Sequence, residues 1–239
     1  AIQEGLPIHT VYGIYQKNAL GVMVFEDSGI ETVSDLEGKS VVITATGEES
    51  VMIPLWLEYN GADADTIELV NIESREARRA MFLEREIDAF WETGFSNVPV
   101  LQEQTDDIID FISISDGDRP LALLLQGIIV RDDTIEERPE LIQAFLTGFR
   151  GGFEFSIENP GEAMDIMMDR VPEIENRELS LGILVNSFDL LQTNNSEGMP
   201  LGMYAEEDWE STVELLEELG KLNEDLPLDA YYTNEFVPE

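Results

Sequence analysis

The stretch from residue 75 to residue 99 constrains the fold more than any other part of this chain. It predicts an arginine-rich amphipathic helix over 75–85, then a short apolar strand over 87–91, then a glycine-containing loop. In open α/β sheets, ligands bind just beyond the carboxyl ends of the strands. Because Trp91 and Glu92 end the predicted strand, we expect them to lie where a ligand is held.

Trp91 and Glu92 together suggest a kind of ligand. An aromatic face beside a hydrogen-bond acceptor suits a flat, nitrogen-rich small molecule. The alternative is that Trp91 is a core aromatic residue and Glu92 a solvated loop carboxylate. The residues by themselves leave both interpretations open.

The order of predicted elements favours a sheet covered by helices. Strands alternate with helices in a βαβαβ rhythm up to about residue 114, which predicts a parallel sheet with helices on its faces. From residue 134 onward the apolar pattern is almost entirely helical. The predicted strands are 8–15, 20–25, 40–44, 67–71, 87–91 and 108–114, and the helices between them are a helix ending near Tyr59, 75–85 and 99–104.

Charge excludes two classes of partner. The chain carries 51 acidic and 13 basic residues, for a net charge of −38. Such a surface repels nucleic-acid phosphates and anionic membranes, since both are bound by lysine and arginine. With 43% hydrophobic residues the chain still folds. A folded, acidic, lysine-poor surface indicates a halophilic source, because high salt screens its self-repulsion.

Several kinds of catalytic site lack their residues in this sequence. There is no cysteine, so disulfides, thiolate metal sites and cysteine nucleophiles are excluded. The single histidine, His9, lies in an alternating strand pattern and has no nucleophile motif near it. We therefore expect no catalytic residue, no metal site and no cofactor.

Four arginines crowd the helix predicted over 75–85, and an anion site is one interpretation of them. Glutamates are interleaved with these arginines, so a salt-bridged face in contact with solvent is the favoured interpretation. The arginines are Arg75, Arg78, Arg79 and Arg85, and the glutamates are Glu73, Glu76, Glu84 and Glu86.

Several segments, taken in their order and spacing, form a pattern that extends over essentially the whole chain. They are Glu4-Gly5-Leu6-Pro7-Ile8, Tyr12-Gly13-Ile14-Tyr15-Gln16-Lys17, Asp27-Ser28-Gly29-Ile30, Asp35-Leu36-Glu37-Gly38-Lys39, Glu68-Leu69-Val70-Asn71, Ile87-Asp88-Ala89, Arg138-Pro139-Glu140-Leu141 and Glu158-Asn159-Pro160-Gly161-Glu162-Ala163. In this pattern the chain resembles a known family, the extracytoplasmic solute-binding proteins of ABC importers that carry thiamine-pyrimidine precursors. These proteins are relatives of the nitrate, sulfonate and taurine binders.

This resemblance implies an α/β, two-lobed periplasmic-binding-protein-like fold of type II with a helical C-terminal part. Residues 1–30 and 119–239 would form lobe one and residues 31–118 lobe two, and the lobes would close on a ligand like a clamshell. Members of the family have roughly another third of a chain before the segment at Glu4. We therefore expect lobe one to lack its N-terminal part.

The resemblance also implies which residues line the ligand site. They come from both lobes. Where the family has a glycine-serine-rich anchor loop, this chain has the acidic segment 44–50, which departs from the family pattern. Its glutamates would repel a sulfonate or a nitrate, which favours a neutral or weakly basic aromatic ligand. The expected contacts are Tyr12, Tyr15 and Gln16 from lobe one, and Thr46, Gly47, Glu48, Trp91, Glu92 and Asn97 from lobe two.

The implied function is ligand capture without turnover, by a monomer that delivers its ligand to an ABC permease. It would act outside the cytoplasm, at the cell surface or in the periplasm, and be held by a lipid anchor on a preceding segment. A sulfonate-, nitrate-, taurine- or riboflavin-binding relative is an alternative. So is a ligand-sensing module. A pyrimidine-precursor synthase of the same fold needs a cysteine-rich motif that this chain lacks.

Overall fold

The structure is a computed structural model that describes residues 2–44, 49–115, 119–222 and 226–238. The chain divides into two compact units. Unit one contains Ala1–Asn18 and Ala122–Glu239, and unit two contains Ala19–Leu121. The sequence placed the changes of lobe at 30–31 and 118–119, so the main difference is that residues 19–30 belong to unit two.

Unit two is built on a five-stranded sheet of β2 (Leu20–Phe25), β3 (Ser40–Ile43), β4 (Glu68–Asn71), β5 (Ala89–Thr93) and β6 (Ile109–Ser113). The order of the strands in the sheet is β4-β3-β5-β2-β6. Strands β3, β4 and β5 are parallel, whereas β2 runs antiparallel to both of its neighbours. The expected parallel sheet is therefore wrong at β2, which lies between β5 and β6 and runs in the opposite direction.

Three helices cover both faces of this sheet: α1 (Glu49–Tyr59), α2 (Arg75–Leu83) and α3 (Gly94–Gln102). Successive side chains of a strand point to opposite faces. Accordingly, Phe90 packs in a core with Phe82 of α2 and Leu101 of α3, while Trp91 packs against Trp56 of α1.

The segment after Asp88 differs from the sequence prediction. The strand runs over 89–93 instead of 87–91, because Asp88 accepts hydrogen bonds from the Ser40 backbone and hydroxyl before the strand begins. A helix, not a loop, follows at Gly94. That position needs glycine, since a Cβ atom there would lie 2.6 Å from the ring of Phe111.

Unit one contains a two-stranded antiparallel sheet of β1 (Ile8–Tyr15) and β7 (Gln126–Arg131). The apolar run at 121–130 therefore forms a strand only in its second half. On the other edge of β1, the backbone of Thr10 accepts from Thr233 and donates to Tyr231, so a C-terminal segment covers that edge.

Helices make up most of the rest of unit one, as the sequence predicts. Phe236 and Val237 join Val11, Ile142 and Leu146 in its core. No helix in the described residues is long and apolar enough to cross a membrane. The helices are α4 (Asp132–Glu137), α5 (Pro139–Glu158), α6 (Pro160–Arg170), α7 (Arg177–Ser187) and α8 (Glu206–Glu218).

Candidate functional site

The carboxyl ends of β3, β4 and β5 meet at one edge of the unit-two sheet, and polar side chains gather there. Because these strands are parallel, the residues that follow each of them are brought together. Helices α1 and α3 also begin at this edge, so their N-terminal N–H groups are there as well. This is the kind of edge at which α/β folds bind ligands.

The Glu92 carboxylate lies at the centre of this edge. Its Oε1 atom is 3.3 Å from Nη2 of Arg75 and 3.8 Å from Nη2 of Arg78. In the described part of the chain, its Oε2 atom has one long contact, 3.5 Å from Nδ2 of Asn97. A carboxylate accepts about four hydrogen bonds. Glu92 is thus held in place by cations and keeps capacity to accept from a ligand.

Arg78 joins the ends of two strands. Its side chain is buried, and Nη1 donates to the backbone carbonyls of Ile72 and Glu73, which follow β4, at 2.8 and 3.0 Å. The expected solvent-facing salt bridges of the arginine helix are therefore wrong for this residue, because it turns toward Glu92 on the sheet. Arg85 agrees with that expectation, since it forms salt bridges at an exposed position, although its partners are Asp27 and Asp107 and not the neighbouring glutamates.

Asn97 is buried in the first turns of α3, and its amide is bound at both ends. Its Oδ1 atom accepts from Nη2 of Arg79 at 2.9 Å, and its Nδ2 atom donates to the backbone carbonyl of Thr93 at 3.1 Å. The same nitrogen contacts the hydroxyls of Thr93 and Ser96. Asn97 therefore fixes the start of α3 beside Glu92.

Glu49 caps the loop between β3 and α1. Its carboxylate accepts from the backbone N–H of Thr44 at 2.8 Å and from the Thr44 hydroxyl. Burial alone would raise the pKa of Glu49, but these hydrogen bonds outweigh it and hold the pKa below its ordinary value. Glu49 is thus occupied inside the protein. The predicted contacts Thr46, Gly47 and Glu48 lie outside the described residues.

Trp91 is buried on the opposite face of the sheet from Glu92. Only 5% of it is exposed, and its ring meets that of Trp56 edge to face at 6.2 Å. These contacts favour the core interpretation that the sequence left open. The prediction that Trp91 stacks on a ligand remains a prediction.

The three contacts predicted from lobe one lie in unit one. Tyr12 is packed between Gly202 and the ring of Phe149, and burial raises its pKa to about 12. Both ends of the Gln16 amide are used, since Nε2 donates to the carbonyl of Met203 and Oε1 accepts from Ser196. Tyr15 ends β1 and is half-buried.

Sequence reasoning missed the residues that position the site. Arg75, Arg78 and Arg79 were assigned to a solvent face, and Thr44 and Ser96 were not considered. The spacing of the three arginines on α2 is visible in the sequence, but their partners Glu92 and Asn97 lie more than ten residues further along the chain. Among the described residues, no group of three or more histidine, aspartate or glutamate side chains is arranged to hold a metal ion.

Comparison with known families identifies the class of protein. The family model described as NMT1/THI5-like matches residues 1–163. The chain therefore belongs to the NMT1/THI5-like family, and the family predicted from sequence motifs is confirmed.

Two relatives named for their ligands match most of the chain. One is the riboflavin-binding protein RibY of Chloroflexus aurantiacus, 27% identical over 241 residues. The other is the formylaminopyrimidine-binding protein of Halalkalibacterium halodurans, 23% identical over 226 residues. The alignments cover 100% and 91% of this chain but 67% and 65% of those proteins, so the chain spans about two thirds of their length.

Solved structures match the fold. The periplasmic aliphatic sulphonate-binding protein SsuA of Escherichia coli matches 95% of this chain and 70% of its own, with a TM-score of 0.65 and 14% identity. The desulfurization enzyme DSZB matches 97% and 78%, with a TM-score of 0.58 and 15% identity. At these identities only the fold is shared, and the predicted α/β, periplasmic-binding-protein-like class is confirmed.

Proposed function

We propose that this chain is the ligand-capturing component of an ABC importer, and that its ligand is a small, uncharged, nitrogen-rich aromatic molecule such as a thiamine-pyrimidine precursor. The matched relatives are named as binding proteins for a flavin and a pyrimidine, which supports this class of ligand. Riboflavin and the sulfonates are the alternatives that a binding assay must separate.

The observation that carries the proposal is the state of Glu92. Two arginines neutralise its charge while Oε2 keeps capacity to accept. A neutralised carboxylate attracts a cation weakly but accepts well from the N–H groups of an uncharged ring. Glu49 stays ionised, because hydrogen bonds from Thr44 hold its pKa below its ordinary value, and its negative charge disfavours an anionic ligand. We therefore assign Glu92 as a ligand contact. Asn97, whose amide is bound at both ends, stays a predicted contact.

The remaining parts of the proposal follow from this function. The protein acts outside the cytoplasm as a monomer, delivers its ligand to a membrane permease and is held by a lipid anchor. It catalyses no reaction, so conversion of any bound ligand by the purified protein would contradict the proposal. Tyr12, Tyr15, Gln16, Thr46, Gly47 and Glu48 stay predicted contacts.

A thermal-shift screen in molar salt against aminopyrimidines, flavins and sulfonates tests the ligand class, followed by calorimetric titration of the best ligand. Glu92→Gln should weaken binding about tenfold or more, since a hydrogen bond to a charged group contributes about 1.5–3 kcal/mol. Glu84→Gln, at an exposed position after α2, is the matched control and should leave the affinity unchanged.

Trp91 needs a separate test because it is buried. If it stacks on the ligand, Trp91→Ala lowers affinity beyond any loss of stability. If Trp91→Ala only lowers the melting temperature, the residue belongs to the core. If only sulfonates stabilise the protein in the thermal-shift screen, the ligand is an anion and not an uncharged aromatic molecule.

A further inference from the structure

Residues 228–238, which we call the strap, cover one edge of strand β1 in unit one. The backbone N–H of Thr10 donates to the carbonyl of Tyr231 at 3.0 Å, and the carbonyl of Thr10 accepts from the N–H of Thr233 at 3.0 Å. The last residues of the strap enter the core of unit one. The strap therefore contacts β1 at Thr10 and is fixed at its far end by apolar packing.

The imidazole of His9 connects the first part of the strap to the start of α4. Its Nδ1 atom lies 2.7 Å from Oδ1 of Asp132, and its Nε2 atom lies 3.0 Å from the backbone carbonyl oxygen of Asp229 in the strap. An ionised carboxylate and a carbonyl can only accept hydrogen bonds. A neutral imidazole has one N–H group, whereas the imidazolium has two. Only protonated His9 can therefore donate to both partners at once.

Loss of the ring proton should break the bond to the strap and keep the bond to α4. A hydrogen bond to an ionised acceptor is about twice as strong as one to a neutral acceptor. The remaining N–H group is therefore expected on Nδ1, beside the Asp132 carboxylate. The lone pair of Nε2 then faces the carbonyl oxygen of Asp229, and the strap loses this hydrogen bond.

One carboxylate contacts the imidazole directly. In the described part of the chain, Asp132 is the one charged side chain in contact with the ring. Arg131, the neighbouring cation, forms an ion pair with Asp133. The His9 side chain is 25% exposed, so water can exchange its proton. The other titratable residues on the elements around the ring are Glu4, Glu136, Glu137, Asp229, Tyr231 and Tyr232.

We propose that His9 is a pH-dependent attachment point for the strap, which binds the strap to β1 when protonated and releases its first part when neutral. Histidine is the side chain whose ordinary change of charge falls between about pH 5 and 8. Because the charged form gains the partners, the attachment is complete at low pH and is lost as the pH rises. Tyr12 and Tyr15 lie on the same strand, so its edge would loosen beside two predicted contacts. The proposal is independent of the ligand and of transport.

Hydrogen exchange at about pH 5.5 and about pH 8, in molar salt, measures the opening of the strap. After correction for the intrinsic exchange rate at each pH, the amides of Thr10 and Thr233 should be about three- to tenfold less protected at the higher pH, as expected for one hydrogen bond. The amides of α5 are the internal control and should not change. Unchanged protection of the strap would overturn the proposal, and so would an equal loss in the strap and α5.

Substitutions separate His9 from other effects of pH. His9→Gln stays neutral at every pH and should abolish the difference in strap protection. Asp132→Asn removes the charged partner of the ring and should reduce that difference. Asp133→Asn is the matched control, because this adjacent carboxylate pairs with Arg131, and it should keep the full difference. A pH dependence that persists in His9→Gln would contradict the proposal, since the chain has no other histidine.

The ring can also be observed directly, because a single histidine gives one set of imidazole signals in nitrogen-15 NMR. At low pH both ring nitrogens should carry protons. Once the ring is neutral, the proton should remain on Nδ1, the atom beside Asp132. A neutral ring with its proton on Nε2 would keep the bond to the strap and break the one to α4, and the proposal would be wrong.

Discussion

The two units differ in how completely their sheets are covered. In unit two, five strands have helices on both faces, with Phe90 packed on one side and Trp91 on the other. In unit one, the described residues form a two-stranded sheet in which β7 has one unpaired edge, and an apolar groove lies beside this sheet. Charge does not explain this difference, since acidic residues outnumber basic ones by 23 to 6 in residues 19–121 and by 28 to 7 in the rest. The two units therefore differ in how completely their apolar surface is covered and not in their charge.

Salt should have the largest effect on stability, and it tests whether the two units respond alike to screening of their charge. Because both units carry a similar excess of negative charge, both should be stabilised as the Debye length falls from about 10 Å at 0.1 M to about 3 Å at 1 M salt. Unit one should open first as salt is lowered, because its core is less covered. Hydrogen exchange at several salt concentrations follows both units. A melting temperature that is flat or falls with salt would contradict the halophilic interpretation.

Phe90→Ala and Phe145→Ala compare the two cores directly. Phe90 is fully buried, so its truncation should cost about 3–5 kcal/mol of unfolding free energy. Phe145 is 55% exposed, so the same truncation should cost less than about 1 kcal/mol. Urea denaturation in molar salt measures both. Similar costs would show that the groove in unit one is closed in solution.

Glu92→Gln measures how much the polar contacts at the sheet edge of unit two contribute to stability. It removes the charged partner of buried Arg78 and should cost about 1–3 kcal/mol. Arg75→Gln breaks the partly exposed pair with the same carboxylate and should cost less than about 1 kcal/mol. If Arg75→Gln costs as much as Glu92→Gln, the buried pair with Arg78 is not the main contact of Glu92.

The local pattern of apolar residues predicted the bounds of strands correctly where those bounds depend on residues that are neighbours in sequence. The strands over 8–15 and 20–25 have the expected bounds, because their apolar runs are clearly delimited. The same pattern did not predict the direction or the start of a strand where these depend on contacts between residues distant in sequence. The direction of β2 depends on its pairing with β6, and the start of β5 depends on the bond between Asp88 and Ser40.

The candidate site shows the same limit. Glu92 and Asn97 were predicted, and the structure brings them together with arginines of α2. Trp91 was expected beside Glu92 because the two are adjacent in sequence. In a strand, adjacency places side chains on opposite faces. Arg78 and Arg79 were misassigned because nearby glutamates are visible in the sequence, whereas the contacts of Arg78 with Glu92 and of Arg79 with Asn97 are not.

Thr44→Val should have the smallest effect, and it tests whether Glu49 is held inside unit two. The change removes a hydroxyl donor to the carboxylate and should cost about 0.5–1 kcal/mol at neutral pH. Because hydrogen bonds hold the pKa of Glu49 below its ordinary value of 4.5, its contribution is present above that pH and is lost as the pH falls.

The difference in stability between wild type and Thr44→Val should therefore shrink as the pH falls below 4.5. Protonation of other carboxylates also relieves repulsion, but it acts on both proteins alike and cancels in the difference. Thr147→Val is the control, since its hydroxyl donates to the backbone carbonyl of Gln143 in unit one and not to a carboxylate. A Thr44→Val difference that stays constant with pH would show that Glu49 is free to face a ligand.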